Sequence, residues 1–230
     1  MKSVAIIPVR SGSKTVPDKN IKHFLNKPLM YWTIGHALEA KHIDRVIVST
    51  DSQSYAELAR QYGAEVPFLR PPHLSTDEAT TECVMSHCVD FLALEKYKFD
   101  YLVLLQVTSP IRSSDLIDQC IEKAQRTNAD SLLTVAPDHS FGWYEDDDRL
   151  RADYDYENRP RRQDIGRIRL RETGSVYVTS KRQFLSSENR LGGKIKCFQT
   201  SFFESLEIDT HEDWVVIESI AKGFYSATGA

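Results

Sequence analysis

Three cations fall within ten positions in Arg10-Ser11-Gly12-Ser13-Lys14-Thr15-Val16-Pro17-Asp18-Lys19-Asn20, directly after an apolar opening run. Small residues let a backbone wrap closely around an anion while Arg10, Lys14 and Lys19 neutralise it, which is how a triphosphate is held. The stretch is neither a Gly-Lys-Ser/Thr loop opening a helix nor a dinucleotide fingerprint of three spaced glycines. Taken alone it also fits a solvated basic turn. Far along the chain, Glu207 and Asp209 flank Ile208. On extended backbone, residues i and i+2 face one side, so Ile208 can enter a core while both carboxylates face a cleft. Such oxygen ligands beside phosphates suit Mg2+, with Mn2+ as a substitute; the alternative is that Asp209 caps the last helix. Arg70, stiffened by Pro71 and Pro72, is placed to reach a base or phosphate. Gln106 ends an apolar run, where a buried amide needs either a sugar hydroxyl or a neighbouring loop. Thr108, Ser109 and Arg112 continue that rim, with an acidic neighbour as the other partner for Arg112.

The elements that must position these residues alternate. The runs SVAIIPV, DRVIVST, DYLVLLQV and DSLLTV are apolar on both faces and read as buried strands. Helical spacing covers Pro28 to Ala40, Ser52 to Tyr62, Glu78 to Leu94 and Ser114 to Thr127, with Pro28 in a first turn and Ser52 or Ser114 as caps. The pattern predicts an α/β fold, a three-layer, mostly parallel (mixed) sheet with helices on both faces. Ligands then bind at the carboxyl ends of strands, which selects Arg10 to Asn20, Ser49 to Asp51, and Gln106 to Arg112. Residues 137–172 break the pattern with an acidic run, Glu145 to Asp148, and six arginines between Arg159 and Arg171, so residues 139–171 read as a loop-rich arm inserted in a single domain spanning 1–230. SVYVTS and KIKCF resume as strands, and a last helix runs from about His211 to Lys222 with Asp209 or Thr210 at its cap. The tail from Gly223 is expected to fray.

Bulk properties narrow the function classes. A net charge of -4 from 29 basic and 33 acidic residues gives no global field for nucleic acid or an anionic membrane. In the arginine-rich stretch the adjacent acidic run argues against a nucleic-acid patch, while Arg167, Arg169 and Arg171 alternate with Ile168 and Leu170 as on a solvated strand. No apolar window reaches about 20 residues, so a cytoplasmic protein without membrane contact is expected. Cys83, Cys88, Cys120 and Cys197 match no common zinc or redox spacing and read as reduced, mostly buried thiols.

The motif R-S-G-S-K-x-x-P-x-K-N resembles the signature of the acylneuraminate cytidylyltransferases, the CMP-sialic acid synthetases. VSTDS (48–52), FLRPPHLSTDEAT (68–80), LLQVTSPIR (104–112), RPRRQD (159–164), ETGSVYV (172–178) and LEIDTHEDW (206–214) follow in that family's order. The resemblance implies a fold like that of nucleotide-diphospho-sugar transferases. It also implies transfer of CMP from CTP to an acidic 2-keto sugar of the nonulosonic or sialic type, and a homodimer formed through the arm. It places Arg10, Ser11, Lys14, Lys19, Asn20, Arg70, the backbone of Ala79 and the Thr81 hydroxyl around the nucleotide. Gln106, Thr108, Arg162 and Tyr177 fall at the sugar, Glu207 and Asp209 at the metal, and Arg162, Lys19 and Asp209 at catalysis; Arg161 remains an alternative to Arg162.

Four positions depart from the family pattern. Thr15 replaces a glycine and would be strained at a positive φ. Val107 replaces proline or alanine, Thr173 an asparagine and Glu207 an aspartate, and Thr173 turns the question toward which sugar is used. Two other readings stay open: a sugar-1-phosphate nucleotidyltransferase, and a regulatory protein that binds nucleotide without turnover.

Overall fold

The computed structural model describes residues 1–164 and 169–228. Its first half runs β1 (Ser3–Pro8), the short hairpin β2 (His23–Phe24) and β3 (Lys27–Pro28), α1 (Leu29–Glu39), β4 (Arg45–Ser49), α2 (Gln53–Gln61), α3 (Thr81–Leu94), β5 (Tyr101–Leu105) and α4 (Ser114–Thr127). The second half holds β6 (Ser131–Asp138), β7 (Trp143–Asp146), β8 (Arg149–Ala152), β9 (Arg169–Ser180), α5 (Lys181–Ser187), β10 (Ile195–Gln199) and α6 (His211–Thr228). Six strands form one sheet in the order β10-β6-β9-β5-β1-β4. β9 is antiparallel to both neighbours and the other pairings are parallel, giving the expected mixed sheet. Sheets of this kind are covered on both faces. In β1, Ala5 and Ile7 enter the layer with α1, α2, α4 and α6, whereas Val4 and Ile6 pack toward α3 and α5 with Met85, Leu92 and Phe184.

Side-chain caps set the helix starts. Ser52 accepts from the Tyr55 N–H, Thr80 from that of Cys83, and Ser113, rather than Ser114, from that of Leu116. Because Thr80 takes the cap, α3 begins at Thr81, three residues later than its periodicity predicts. Pro28 precedes the first turn of α1 instead of lying in it. At α6, Thr210 Oγ1 accepts from the Asp213 N–H (3.1 Å), while Asp213 accepts from the N–H groups of Asp209 (3.1 Å) and Thr210 (2.8 Å). This reciprocal cap leaves the Asp209 carboxylate out of the helix terminus.

Other expectations are overturned. The tail does not fray at Gly223: α6 continues to Thr228, Tyr225 stacks on Trp32 at 4.8 Å, and its hydroxyl donates to the Pro110 carbonyl at 2.9 Å. Aromatic burial supplies the enthalpy that a free end lacks. The arm is more regular than loop-rich. β6 and β9 stay paired out to Asp138 and Arg169, and the acidic run ends β7 and makes the turn of the β7–β8 hairpin, with Asp147 at φ 42 and Asp148 at φ 64. Two successive positive φ values match the twist of a tight hairpin. Arg169 pairs with Asp138 and Asp153, and Arg171 donates to the Ser205 carbonyl; Arg167 and Ile168 lie outside the described residues. Cys88 and Cys120 are buried, Cys197 is half-buried, and Cys83 is exposed rather than buried. No helix among the described residues is long and apolar enough to cross a membrane.

Arg112, expected on the rim, is a core residue at 2% exposure. It donates to the Thr33 hydroxyl (2.9 Å), the Gln106 carbonyl (3.1 Å) and the Ser175 carbonyl, tying α1, the end of β5 and β9 together. Burial brings its pKa down to about 10. Burial first, and the Arg112 charge second, keep His36 neutral with a pKa of about 3. Arg112→Ala strips three interior oxygens of a donor and should cost about 3 kcal/mol or more. Chemical denaturation would register this as a lower midpoint; an unchanged midpoint would remove Arg112 from the framework.

Candidate active site

A cavity of about 500 Å³ opens at the carboxyl ends of β1 and β5, the end of an α/β sheet where ligands bind. Arg10, Lys14, Lys19, Asn20, Arg70, Ala79, Thr81, Gln106, Thr108, Glu207 and Asp209 all line it. The cations come mainly from the loop after β1 and the 70–81 segment before α3. The carboxylates come from the extended segment before α6.

The cationic loop is held in shape by polar groups beneath it. Asn20 Nδ2 donates to the Arg10 carbonyl at 2.9 Å, closing the loop at both ends. Ser11 gives Asp51 both its N–H (3.0 Å) and its hydroxyl (2.7 Å). Burial raises the Asp51 carboxyl, but these hydrogen bonds and the nearby Arg70 charge outweigh it, leaving it below the ordinary carboxylate range. The left-handed position of the loop is Asp18, at φ 51, and not Thr15, so threonine is accommodated without a positive φ. Tyr55 Oη donates to Asp18 at 2.9 Å and fixes that turn.

Arg70 is 4% exposed, and its Nε and Nη2 have no hydrogen-bond partner among the described residues. Asp51 lies 3.9 Å away, close enough for a charge contact and too far for a hydrogen bond. Desolvation lowers the Arg70 pKa, with Asp51 offsetting part of the shift. A buried guanidinium with donors to spare is an anion receptor. Thr80 and Thr81 bring the positive end of α3 to the same cavity. The Ala79 N–H is engaged by the Thr76 carbonyl at 3.3 Å.

The opposite wall is built by a bulge in β9. Leu133 pairs with Tyr177 and Val135 with Glu172, so the β9 residues between them are displaced from the ladder. Thr173 and Thr134 stabilise the displacement: the Thr173 hydroxyl donates to Thr134 Oγ1 (2.8 Å), which also takes the Val176 N–H (3.0 Å). The bulge presses Gly174, at φ 63, against the site; a Cβ there would overlap Glu207 Oε1 and the end of the Gln106 amide. With its amide oriented to satisfy its neighbours, Gln106 donates to the Gly174 carbonyl and to Glu207 Oε1, both at 3.1 Å. Thr108 Oγ1 donates to the same carboxylate oxygen at 3.1 Å. Desolvation, then the proximity of Asp209, raises the Glu207 pKa. Lys19 Nζ donates to the Ile208 carbonyl (2.9 Å) and lies 3.7 Å from Asp209 Oδ1. Among the described residues no three His, Cys, Asp or Glu side chains gather into a metal cage. Two carboxylates without a third still suit Mg2+, which completes its shell with water and phosphate.

Some nominated residues stay apart from the cavity. Ser11 spends its hydroxyl on Asp51. Tyr177 is buried on the α3 face of the sheet and does not line the cavity; its hydroxyl donates to Glu172 and the Arg190 guanidinium lies 4.8 Å from its ring centroid. Thr173 is fully buried in the bulge, so it cannot read a sugar directly. Arg162 begins a short 3-10 turn, 162–164, and its side chain lies outside what is described; Arg161 pairs with Asp164. The sequence places Asp51 in the selected Ser49 to Asp51 segment without a role of its own, and it gives no role to Asp77 or Gly174. Asp51 and Asp77 lie inside quoted motifs, and the signal for Gly174 was a glycine beside a strand pattern. Asp77 bridges Arg10 Nη1 (2.8 Å) and Lys14 Nζ (2.5 Å).

The raised Glu207 pKa has a defined sign. The folded protein holds this proton more tightly than the unfolded chain, so stability falls as pH rises from the ordinary carboxylate value through the raised one. Glu207→Gln should therefore raise Tm at pH 7 and lose that advantage near pH 4, as read by thermal scans across pH. An equal or lower Tm at pH 7 would contradict the electrostatic account.

With this geometry in hand, the chain's relatives are informative. A family model described as Cytidylyltransferase matches residues 4–222. The N-acylneuraminate cytidylyltransferase of Streptococcus agalactiae serotype V is 33% identical over 94% of this chain and 52% of its own length. The CMP-N,N'-diacetyllegionaminic acid synthase of Legionella pneumophila is 31% identical over 96% of this chain and 97% of its own. The chain thus spans about half the length of the first of these and nearly all of the second. Among solved structures, a CMP:2-keto-3-deoxy-manno-octonic acid synthetase complexed with CTP superposes with a TM-score of 0.72 at 15% identity, covering 97% of this chain and 99% of that one, which establishes the shared fold. By the match of its sequence from end to end of the sheet and site, the chain belongs to the cytidylyltransferase family.

Proposed function

We propose that the protein transfers CMP from CTP to an acidic 2-keto sugar of the nonulosonic type, releasing pyrophosphate. The observation that carries this reading is one cavity with Arg10, Lys14, Lys19 and Arg70 gathered around it and the Glu207–Asp209 pair on its far wall. That arrangement suits a polyphosphate between cations and carboxylates. The names of the relatives support CTP as donor and a sugar acid as acceptor.

The anomeric hydroxyl of the sugar attacks the α-phosphorus and pyrophosphate leaves. Arg10, Lys14 and Arg70 orient the phosphates and offset their charge, which is most of what such a transfer asks of a protein. Lys19, held on the Ile208 carbonyl, places its ammonium between the phosphates and Asp209. Gln106 and Thr108 fix Glu207 and border the acceptor side. Mg2+ on Glu207 and Asp209 would neutralise phosphate charge and lower the pKa of the attacking hydroxyl. The Glu207 carboxyl, raised by burial and by Asp209, fits a place that a cation relieves.

The direct test incubates the protein with CTP, Mg2+ and a panel of 2-keto sugar acids and measures pyrophosphate. Turnover should appear with nonulosonic acids and fall by about two to three orders of magnitude in folded Asp209→Ala. Turnover only with hexose 1-phosphates and UTP or TTP would replace this reading with the sugar-1-phosphate one, and CTP binding without any turnover would replace it with a regulatory role.

The same proposal makes the working form a homodimer. The β7–β8 hairpin exposes Trp143 and Leu150 on one face and Tyr144 on the other, apolar surface that a second copy would cover. Light scattering at assay concentration should give twice the chain mass; a fully active monomer would refute it.

A further inference from the structure

One carboxylate stands where the proposed reaction requires phosphate oxygens. Asp77 Oδ1 lies 2.8 Å from Arg10 Nη1, and its Oδ2 lies 2.5 Å from Lys14 Nζ. Arg10 Nη1 also donates to the Thr76 carbonyl at 3.1 Å. The Lys14 contact first, and Arg10 after it, hold the Asp77 carboxyl below the ordinary range.

The surrounding segment is pinned at its two ends. The Arg70 N–H donates to the Thr50 carbonyl at 2.7 Å, and Thr80 caps α3. Between these pins the backbone hydrogen bonds are local, from Leu74 to Pro71, Ser75 to Pro72 and Ala79 to Thr76. Among the described residues, the hydrogen bonds and ion pairs that tie 71–79 to the rest of the protein run through Arg10 and Lys14. The middle of the segment is therefore docked on the two cations that a triphosphate would use.

We propose that Asp77 is a specificity-determining residue: it occupies Arg10 and Lys14 in the free protein and admits ligands whose phosphate chain outcompetes one carboxylate. The proposal rests on the nucleotide reading above. Exposed ion pairs are individually weak, so a polyanion displaces Asp77 readily. A nucleoside monophosphate, with no β or γ phosphate to reach these cations, gains nothing from them. Selection thus falls on the length of the phosphate chain. The same exchange operates in reverse after transfer: as pyrophosphate withdraws, Asp77 returns to Arg10 and Lys14 and disfavours its rebinding.

The test is titration calorimetry in metal-free buffer of the wild-type protein and Asp77→Asn with CTP, CMP and inorganic tripolyphosphate. CTP and tripolyphosphate should bind Asp77→Asn roughly threefold to tenfold more tightly, the gain shrinking with added salt, and CMP should bind both proteins alike. Asp77→Glu, which keeps the charge, should bind as wild type does. Equal or weaker binding of tripolyphosphate to Asp77→Asn would overturn the proposal, as would an equal gain for CMP. If tripolyphosphate shows the gain while CTP binds neither protein, Asp77 keeps its role and the nucleotide reading falls. If CTP binds both with no gain for either polyanion, the nucleotide reading stands and the role of Asp77 falls.

Discussion

The backbone of Ile208 is gripped from two directions. Its N–H donates to the Thr108 carbonyl at 2.8 Å and its carbonyl accepts Lys19 Nζ at 2.9 Å. With the Ile208 side chain fully buried, the alternation of extended backbone leaves Glu207 and Asp209 to face the cavity. A lysine that is 9% exposed needs a partner for its charge, and the carbonyl with Asp209 nearby supplies one. Three parts of the chain, the loop after β1, the end of β5 and the approach to α6, are thereby fixed to one another at a single residue. Arg112 performs a similar service one layer deeper, where it holds the Gln106 carbonyl at the end of β5 to the Ser175 carbonyl within the β9 bulge.

This arrangement carries features that a purely structural optimum would remove. Arg70 keeps two buried nitrogens without hydrogen-bond partners, Glu207 is held near a second carboxylate in a desolvated place, and Gly174 is confined to a left-handed conformation. The first two are unfavourable in isolation and line one cavity, and Gly174 packs closely against Glu207 and Gln106 in its wall. Concentration of such costs at one place marks a site shaped for a ligand that relieves them.

The α/β alternation was readable from the sequence because buried strands such as SVAIIPV and amphipathic segments such as Ser114–Thr127 have different periods. The cationic loop and the Glu207–Asp209 pair were readable because their chemistry is carried by residue type and short spacing. What escaped depends on partners distant in sequence. Arg112 looks like a rim cation until Thr33 and Ser175 are seen to surround it. Tyr177 looks available to a sugar until its ring is seen packed beneath α3 and α5 with its hydroxyl taken by Glu172. Thr173 matters through Thr134, a contact no local pattern discloses. The tail reads as free because Tyr225 finds Trp32 and Pro110 far back along the chain, and the arm reads as irregular because β7 and β8 pair with each other and not with a periodic core.

The Lys19–Ile208 contact joins residues 189 positions apart. Closing so long a loop is slow relative to local helix formation and comes after most of the sheet has assembled. Until residue 208 has been made during synthesis, the Lys19 ammonium lacks its native carbonyl and the Glu207–Asp209 pair is absent. A ribosome-bound fragment ending before residue 206 would carry the cationic loop without its counterweight, so the proposed site is completed in one step, when the segment before α6 docks on Lys19 and Thr108.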